Sequence, residues 1–183
     1  MLLSSPELDC PCVLVGESMG GAISLILADT HPEDIAGLVL LDPPPPRLID
    51  QVLKIAPAGS PEADLANGFP PDPEHFDFLA SLRQVETPSL PATVPVEVLT
   101  HGQGDPPPCF PCSPDFPADQ LEVWWQQAQA ELAGDLNGKL VVAEDSSHFI
   151  STDQPDLIVA ATREVVSAVR DPTTWPPMPS PAA

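Results

Sequence analysis

The chain has 183 residues and a formal net charge of −21, with six basic side chains against 27 acidic ones. It is long enough for one domain with a core of its own, and its charge argues against nucleic acid and anionic membrane surfaces as partners. No run of about 18 apolar residues is present, so no span is expected to cross a membrane. No basic segment precedes an apolar stretch either, so no signal peptide is visible and the compartment stays open.

In chain order, Cys12-Val13-Leu14-Val15 is a short apolar run that predicts a strand over 12–16. Gly16-Glu17-Ser18-Met19-Gly20-Gly21 follows it and leads into a helical run from Ala22 to Ala28. Strand, G-x-S-x-G, helix is the pattern of a nucleophile elbow. Side chains at Gly16 and Gly20 are expected to clash across so tight a turn, and Gly21 is expected to let the helix pack close. The Ser18 hydroxyl is then held clear of the sheet. The helix N-terminus behind it offers N–H groups and a positive dipole to a developing oxyanion.

Pro32 ends this helix, and Ile35 to Leu41 is a continuous apolar strand that stops at Asp42, predicted over 35–42. Pro43 to Pro46 breaks regular structure. Arg47 to Ile55 and Pro73 to Val85 read as helices, the second with Phe78, Leu82 and Val85 on one stripe. Pro57, Gly59, Gly68, Pro70 and Pro71 between them read as loop, and the apolar stripes are expected to face the core. A third strand is predicted over 94–100. The turn His101-Gly102-Gln103-Gly104-Asp105 follows it, with His101 expected to be a loop histidine and His31 and His75 surface ones.

Pro106 to Pro117 is a proline-rich loop, and Asp119 to Leu132 a helix in which one of Trp124 and Trp125 is expected to pack on the sheet. Lys139 to Ala143 predicts a strand over 139–143, Glu144 to Ser147 a loop, and His148 closes that loop. The last helix is predicted over Gln154 to Val169. Asp153 and Pro155 are expected to start it, with Leu157, Ile158, Ala161, Val165 and Val169 on its buried face. From Asp171 the Pro/Thr/Ser/Ala-rich tail, 171–183, is expected to be disordered. The four cysteines form the pairs Cys10/Cys12 and Cys109/Cys112. Free thiols are expected, ahead of a loop disulfide and then zinc. C-x-C is tight for zinc ligands, and the C-x-x-C lies in a loop rather than at a helix start.

Four parallel strands alternating with helices make an α/β fold with a doubly wound sheet, whose site lies at the carboxyl ends of the strands. Ser18, Asp42, Asp105 and His148 all lie just past such ends. The segments "LVGESMGG", "IAGLVLLDP", "VPVEVLTHGQGD" and "VVAEDSSHFISTDQP" resemble the C-terminal half of the α/β-hydrolase family, from Cys12 to Arg170. The resemblance implies a partial hydrolase domain over 1–170, with a short helical cap insertion at about 43–92. The family's first four strands and its His-Gly oxyanion loop are not expected in this sequence.

It further implies Ser18 as nucleophile, His148 as base and Asp105 as the acid behind it, with Asp42 as the rival acid and the Met19 N–H as an oxyanion donor. A serine nucleophile argues against relatives that use aspartate, such as haloalkane dehalogenases. The reaction this implies is cleavage of a small carboxylic ester, with no metal or organic cofactor. The other reading is a non-catalytic fragment or interaction module. The strand at 12–16 would be an exposed edge in either reading, which favours self-association.

Overall fold

Four short runs rich in valine and leucine become the strands of one parallel sheet: β1 (Cys12–Glu17), β2 (Ile35–Leu41), β3 (Val96–His101) and β4 (Lys139–Ala143). The structure is a computed structural model and describes residues 11–67, 78–103 and 113–175. The strands lie in the order β1-β2-β3-β4, each neighbouring pair parallel, with Gly16 opposite Leu40, Leu40 opposite Val98 and Val98 opposite Leu140. Parallel neighbours need long crossovers, and helices supply them. These are α1 (Met19–Thr30) after β1, α2 (Leu48–Ile55), α3 (Pro61–Asn67) and α4 (Phe78–Leu82) after β2, and α5 (Ala118–Asp135) after β3. Beyond β4 come α6 (Ile150–Asp153) and α7 (Pro155–Arg170).

β2 reads as an unbroken apolar run because both of its faces are covered. Leu38 and Leu40 join Leu25, Val52, Leu121, Trp125 and Leu132 in the core under α1, α2 and α5. Val39 and Leu41 point the other way and pack with Leu99, Ile150, Ala161 and Val165 under α7. The sheet is therefore doubly wound, as the alternation of elements predicts. The outer strands are less covered: Val15 of β1 and Val142 of β4 are 45% and 46% exposed. The stripes of the 43–92 segment face the core, since Ile49, Val52, Leu82 and Val85 are all buried.

Several expectations need correction. The segment between Ile55 and Pro73 is not all loop: α3 starts at Ser60-Pro61-Glu62, where the Ser60 hydroxyl accepts the Ala63 N–H at 3.2 Å. Serine before a proline at the first helical position is a start signal that overrides the surrounding loop formers. Of the helix expected over Pro73 to Val85, α4 is described, while 73–77 lie outside the described residues. In α7 the buried face carries Ala161, Val165 and Ala168, with Val169 37% exposed, because the helix presents one position earlier to the sheet.

Asp153 does not cap α7. Its carboxylate accepts from the Ser147 N–H and hydroxyl at 2.9 and 2.6 Å. In the tail, a turn at Pro172–Thr174 is capped by Asp171, and 176–183 lie outside the described residues. Lys139 pairs with Glu164 and lies 4.2 Å from the Trp175 ring centroid, which holds that turn to the sheet. Cys12 is disulfide-bonded rather than a free thiol; Cys10, Cys109 and Cys112 lie outside the described residues.

Candidate functional site

The loops after β1, β2 and β4 meet at one edge of the sheet. After β1 the backbone reverses at Ser18, which has φ 52° and ψ −118°, a region that non-glycine residues rarely occupy. The Ser18 N–H donates to the Leu41 carbonyl at 2.8 Å, so the strained turn is anchored to the end of β2. A Cβ at Gly16 would land on the Gly20 carbonyl, and one at Gly21 would come within 2.7 Å of Pro43 Cβ. Gly20 itself faces open space, contrary to the expectation that it too relieves a clash.

After β2, Asp42 leaves the ladder at φ 45°, a conformation that aspartate tolerates better than most residues. It is fully buried. Its Oδ1 accepts from Trp125 Nε1 at 2.9 Å, Thr100 Oγ1 at 3.1 Å and the His101 N–H at 3.3 Å. Its Oδ2 lies 2.7 Å from His101 Nδ1 and 2.6 Å from His148 Nδ1. Burial raises the pKa of such a carboxyl, but the hydrogen bonds from His101 and His148, the His101 charge and the Trp125 N–H outweigh it and hold it at about 2.

After β4, Ser146 and Ser147 lead to His148, which is buried with its Nε2 2.9 Å from Ser18 Oγ. Three sets of contacts hold this loop in place. The N–H groups of Gly102 and Gln103 donate to the Ser146 carbonyl, at 3.2 and 2.9 Å. Asp153 holds Ser147. Glu17, the residue before the strained serine, accepts from the Ser151 N–H and hydroxyl at 2.9 and 2.6 Å. The strand that carries Ser18 is thereby tied to the helix that follows His148.

A model of the alpha/beta hydrolase family matches residues 4–161. The chain belongs to the alpha/beta hydrolase family. No curated protein matches the sequence. Among solved structures, the methylesterase MES16 from Arabidopsis is similar at 18% identity and TM-score 0.50, over 91% of this chain and 73% of that one. A carboxylesterase of the thaumarchaeon Nitrososphaera gargenis shares 13% identity at TM-score 0.48, over 88% and 66% of the two chains. A thermophilic esterase from Thermogutta terrifontis shares 21% at TM-score 0.46, over 87% and 66%. This chain thus spans about two thirds of the length of the two esterases.

Of the residues expected in the site, Ser18 and His148 are brought together, and Met19 is the first residue of α1, directly behind Ser18. The carboxylate on His148 is that of Asp42, the rival in the sequence reading. Asp105 lies outside the described residues.

Two members of the cluster are not apparent from sequence. His101 is not a loop histidine: it ends β3, is fully buried, and its Nε2 lies 2.9 Å from Glu122 Oε2 on α5. Burial lowers the pKa of an imidazole, but Asp42 and Glu122 together raise that of His101 to about 9. Trp125, rather than Trp124, is the fully buried tryptophan, and its N–H completes the Asp42 shell. No spacing rule joins positions 42, 101, 122 and 125, which come together through the packing of α5 on β3.

Among the described residues, Asp42, His101 and His148 are also the set whose ligand atoms lie near enough to one another, within 4.8 Å, to hold a metal. In the structure both Nδ1 atoms converge on a single oxygen of Asp42 at hydrogen-bond distance, so these side chains satisfy one another directly. A cavity of about 820 Å³ lies elsewhere, between α2, α4 and α5, and is lined by Arg47, Lys54, Arg83, Trp124 and Glu131 among others. Ser18, Asp42 and His148 do not line it.

Proposed function

We propose that this chain is a serine hydrolase that cleaves a carboxylic ester through an acyl-enzyme intermediate, with Ser18 as nucleophile, His148 as general base and Asp42 as the orienting acid. The observation that carries the reading is the pair of contacts on His148: Nε2 at 2.9 Å from Ser18 Oγ and Nδ1 at 2.6 Å from Asp42. A carboxylate at Nδ1 keeps the ring proton there, which leaves Nε2 as a lone pair facing the serine hydroxyl. Asp42 takes the place given to Asp105 in the sequence reading, because the one Nδ1 hydrogen already has its acceptor.

Ser18 Oγ bonds to the ester carbonyl carbon as its proton passes to His148 Nε2. The carbonyl oxygen becomes an oxyanion in front of α1, where the Met19 N–H, one of the donors a helix start leaves unpaired, is the proposed partner. Collapse breaks the bond to the alcohol oxygen, which leaves with the proton from Nε2. Water then attacks the acyl carbon and gives a proton to Nε2; the acid departs and Ser18 recovers its proton. The methylesterase from Arabidopsis fits this reading by analogy of fold alone.

The test is turnover of a small chromogenic ester, with labelling by a fluorophosphonate. The wild-type chain is expected to hydrolyse the ester and to be labelled at Ser18. Ser18→Ala should abolish labelling and cut kcat by about 10⁶-fold, as loss of a triad serine does. A folded wild-type chain that is neither active nor labelled would leave the second reading, a non-catalytic interaction module. The observation favouring that alternative is β1 at the edge of the sheet, with β2 as its one neighbour among the described residues.

A further inference from the structure

We propose that His101 is a positioning residue of this site: a resident cation, clamped between Asp42 and Glu122, that keeps the Asp42 carboxylate ionised and aimed at His148. The argument begins with hydrogen counting. His101 Nδ1 lies 2.7 Å from Asp42 Oδ2, and Nε2 lies 2.9 Å from Glu122 Oε2. Ionised carboxylates accept and do not donate, so both ring nitrogens must carry hydrogen, and a ring with two N–H groups is an imidazolium. The upward shift of His101 agrees with this count. His148 is placed differently. Its Nδ1 faces Asp42 and its Nε2 faces a hydroxyl, which can donate as well as accept, so it can be neutral in the resting state.

A buried carboxylate without a counter-charge would take up a proton instead of staying ionised. The other donors to Asp42, from Trp125, Thr100 and the His101 backbone, are neutral. With His148 neutral, His101 is therefore the full charge that balances Asp42 before reaction. The titratable groups facing the His101 ring are Asp42 beyond β2 and Glu122 on α5, with His148 reached across Asp42; the Trp125 ring lies beside it, 6.2 Å between centroids. Glu122 holds the cation from the far side and is itself steadied by Gln126, whose amide donates to Glu122 Oε1 at 2.9 Å and to the His101 carbonyl at 2.8 Å.

The kinetic part of this inference rests on the hydrolase reading, and the ionisation part does not. Trp125 Nε1–H donates to Asp42, so its NMR resonance reports whether Asp42 is ionised, whether or not any ester turns over. In His101→Asn, which keeps an N–H donor but removes the charge, the pH at which the indole resonance shifts should rise by about one unit or more relative to wild type. In Glu122→Gln, where His101 still carries its charge at the acidic pH of the Asp42 transition, it should stay in place, and His101→Gln serves should His101→Asn fail to fold. At neutral pH both His101 ring N–H groups should be detected in the wild type.

In the kinetic arm, the acid limb of kcat/KM for a small ester should move up in pH in His101→Asn. A purely structural role would lower kcat without moving the limb. An indole transition that stays in place in the His101 variants, or a His101 ring with one proton at neutral pH, would overturn the proposal. An inactive wild type with the indole transition displaced in the His101 variants would overturn the hydrolase reading alone.

Discussion

At the scale of single residues, the site depends on one carboxylate that accepts five hydrogen bonds. Asp42→Asn would present an amide where two histidines need an acceptor. It should lower kcat by about 10⁴-fold, the loss seen when the acid of a serine protease triad becomes an amide. Asp105→Asn should lower it by less than about tenfold, since the Nδ1 hydrogen of His148 is already paired. Equal losses would return the acid's role to Asp105; steady-state kinetics on the two variants decides.

Stability should follow the same charges. The depressed Asp42 contributes stability that is full above its unfolded value of 3.8 and lost as pH falls through about 2. The raised His101 contributes stability that is full below 6.5 and lost as pH rises through about 9. A thermal unfolding series should therefore show a plateau between about pH 4 and 6.5 and a fall in Tm between 6.5 and about 9. Glu122→Gln should flatten that fall, and a fall of unchanged depth would mean that another group causes it.

At the scale of elements, the elbow is shaped by two close approaches, each with a distinct steric cause. Gly16 lies against the backbone of Gly20, and Gly21 lies against Pro43, the residue after Asp42. Gly21→Ala should cost about 1–3 kcal/mol as the new methyl displaces Pro43, and it should reduce turnover because Asp42 moves with its neighbour. Gly20→Ala faces open space inside α1, where alanine is the better helix former by about 1 kcal/mol, and should be neutral or stabilising. Chemical denaturation of both variants checks the contrast. A stabilised Gly21→Ala or a badly destabilised Gly20→Ala would contradict it. The elements themselves were legible where one physical signal dominated. The continuous apolar runs at Val13–Val15 and Ile35–Leu41 became β1 and β2. α3 is hidden in the sequence by the loop formers Pro57, Gly59 and Gly68 around it, although Ser60-Pro61 between them is a local start signal.

At the scale of the molecule, a net charge of −21 and the place of β1 at the sheet edge among the described residues oppose each other. Strand edges present unpaired N–H and C=O groups to other chains, while like charge keeps copies apart at low salt. Screening length falls from about 30 Å at 0.01 M salt to about 3 Å at 1 M. Sedimentation should therefore show self-association that grows with salt. Val15→Lys, at a half-exposed position on β1, should suppress it by placing a charge on that edge. Association unaffected by this substitution would assign the contact to another surface.

Sequence by itself determined the local features: the strained serine turn between strand and helix, the parallel alternation of elements, and a histidine after the last strand. Each depends on a few consecutive residues whose backbone preferences and apolar period leave little choice. Which carboxylate serves His148 was decided only by tertiary structure. Asp42 and Asp105 both follow strands and look equivalent along the chain. What sets Asp42 apart is its buried shell of Trp125, Thr100, His101 and His148, drawn from one strand end, one helix and one loop. His101 shows the same limit: as a residue after an apolar strand it reads as a loop histidine. It becomes a buried cation because α5 lays Glu122 against one ring nitrogen while β2 brings Asp42 to the other.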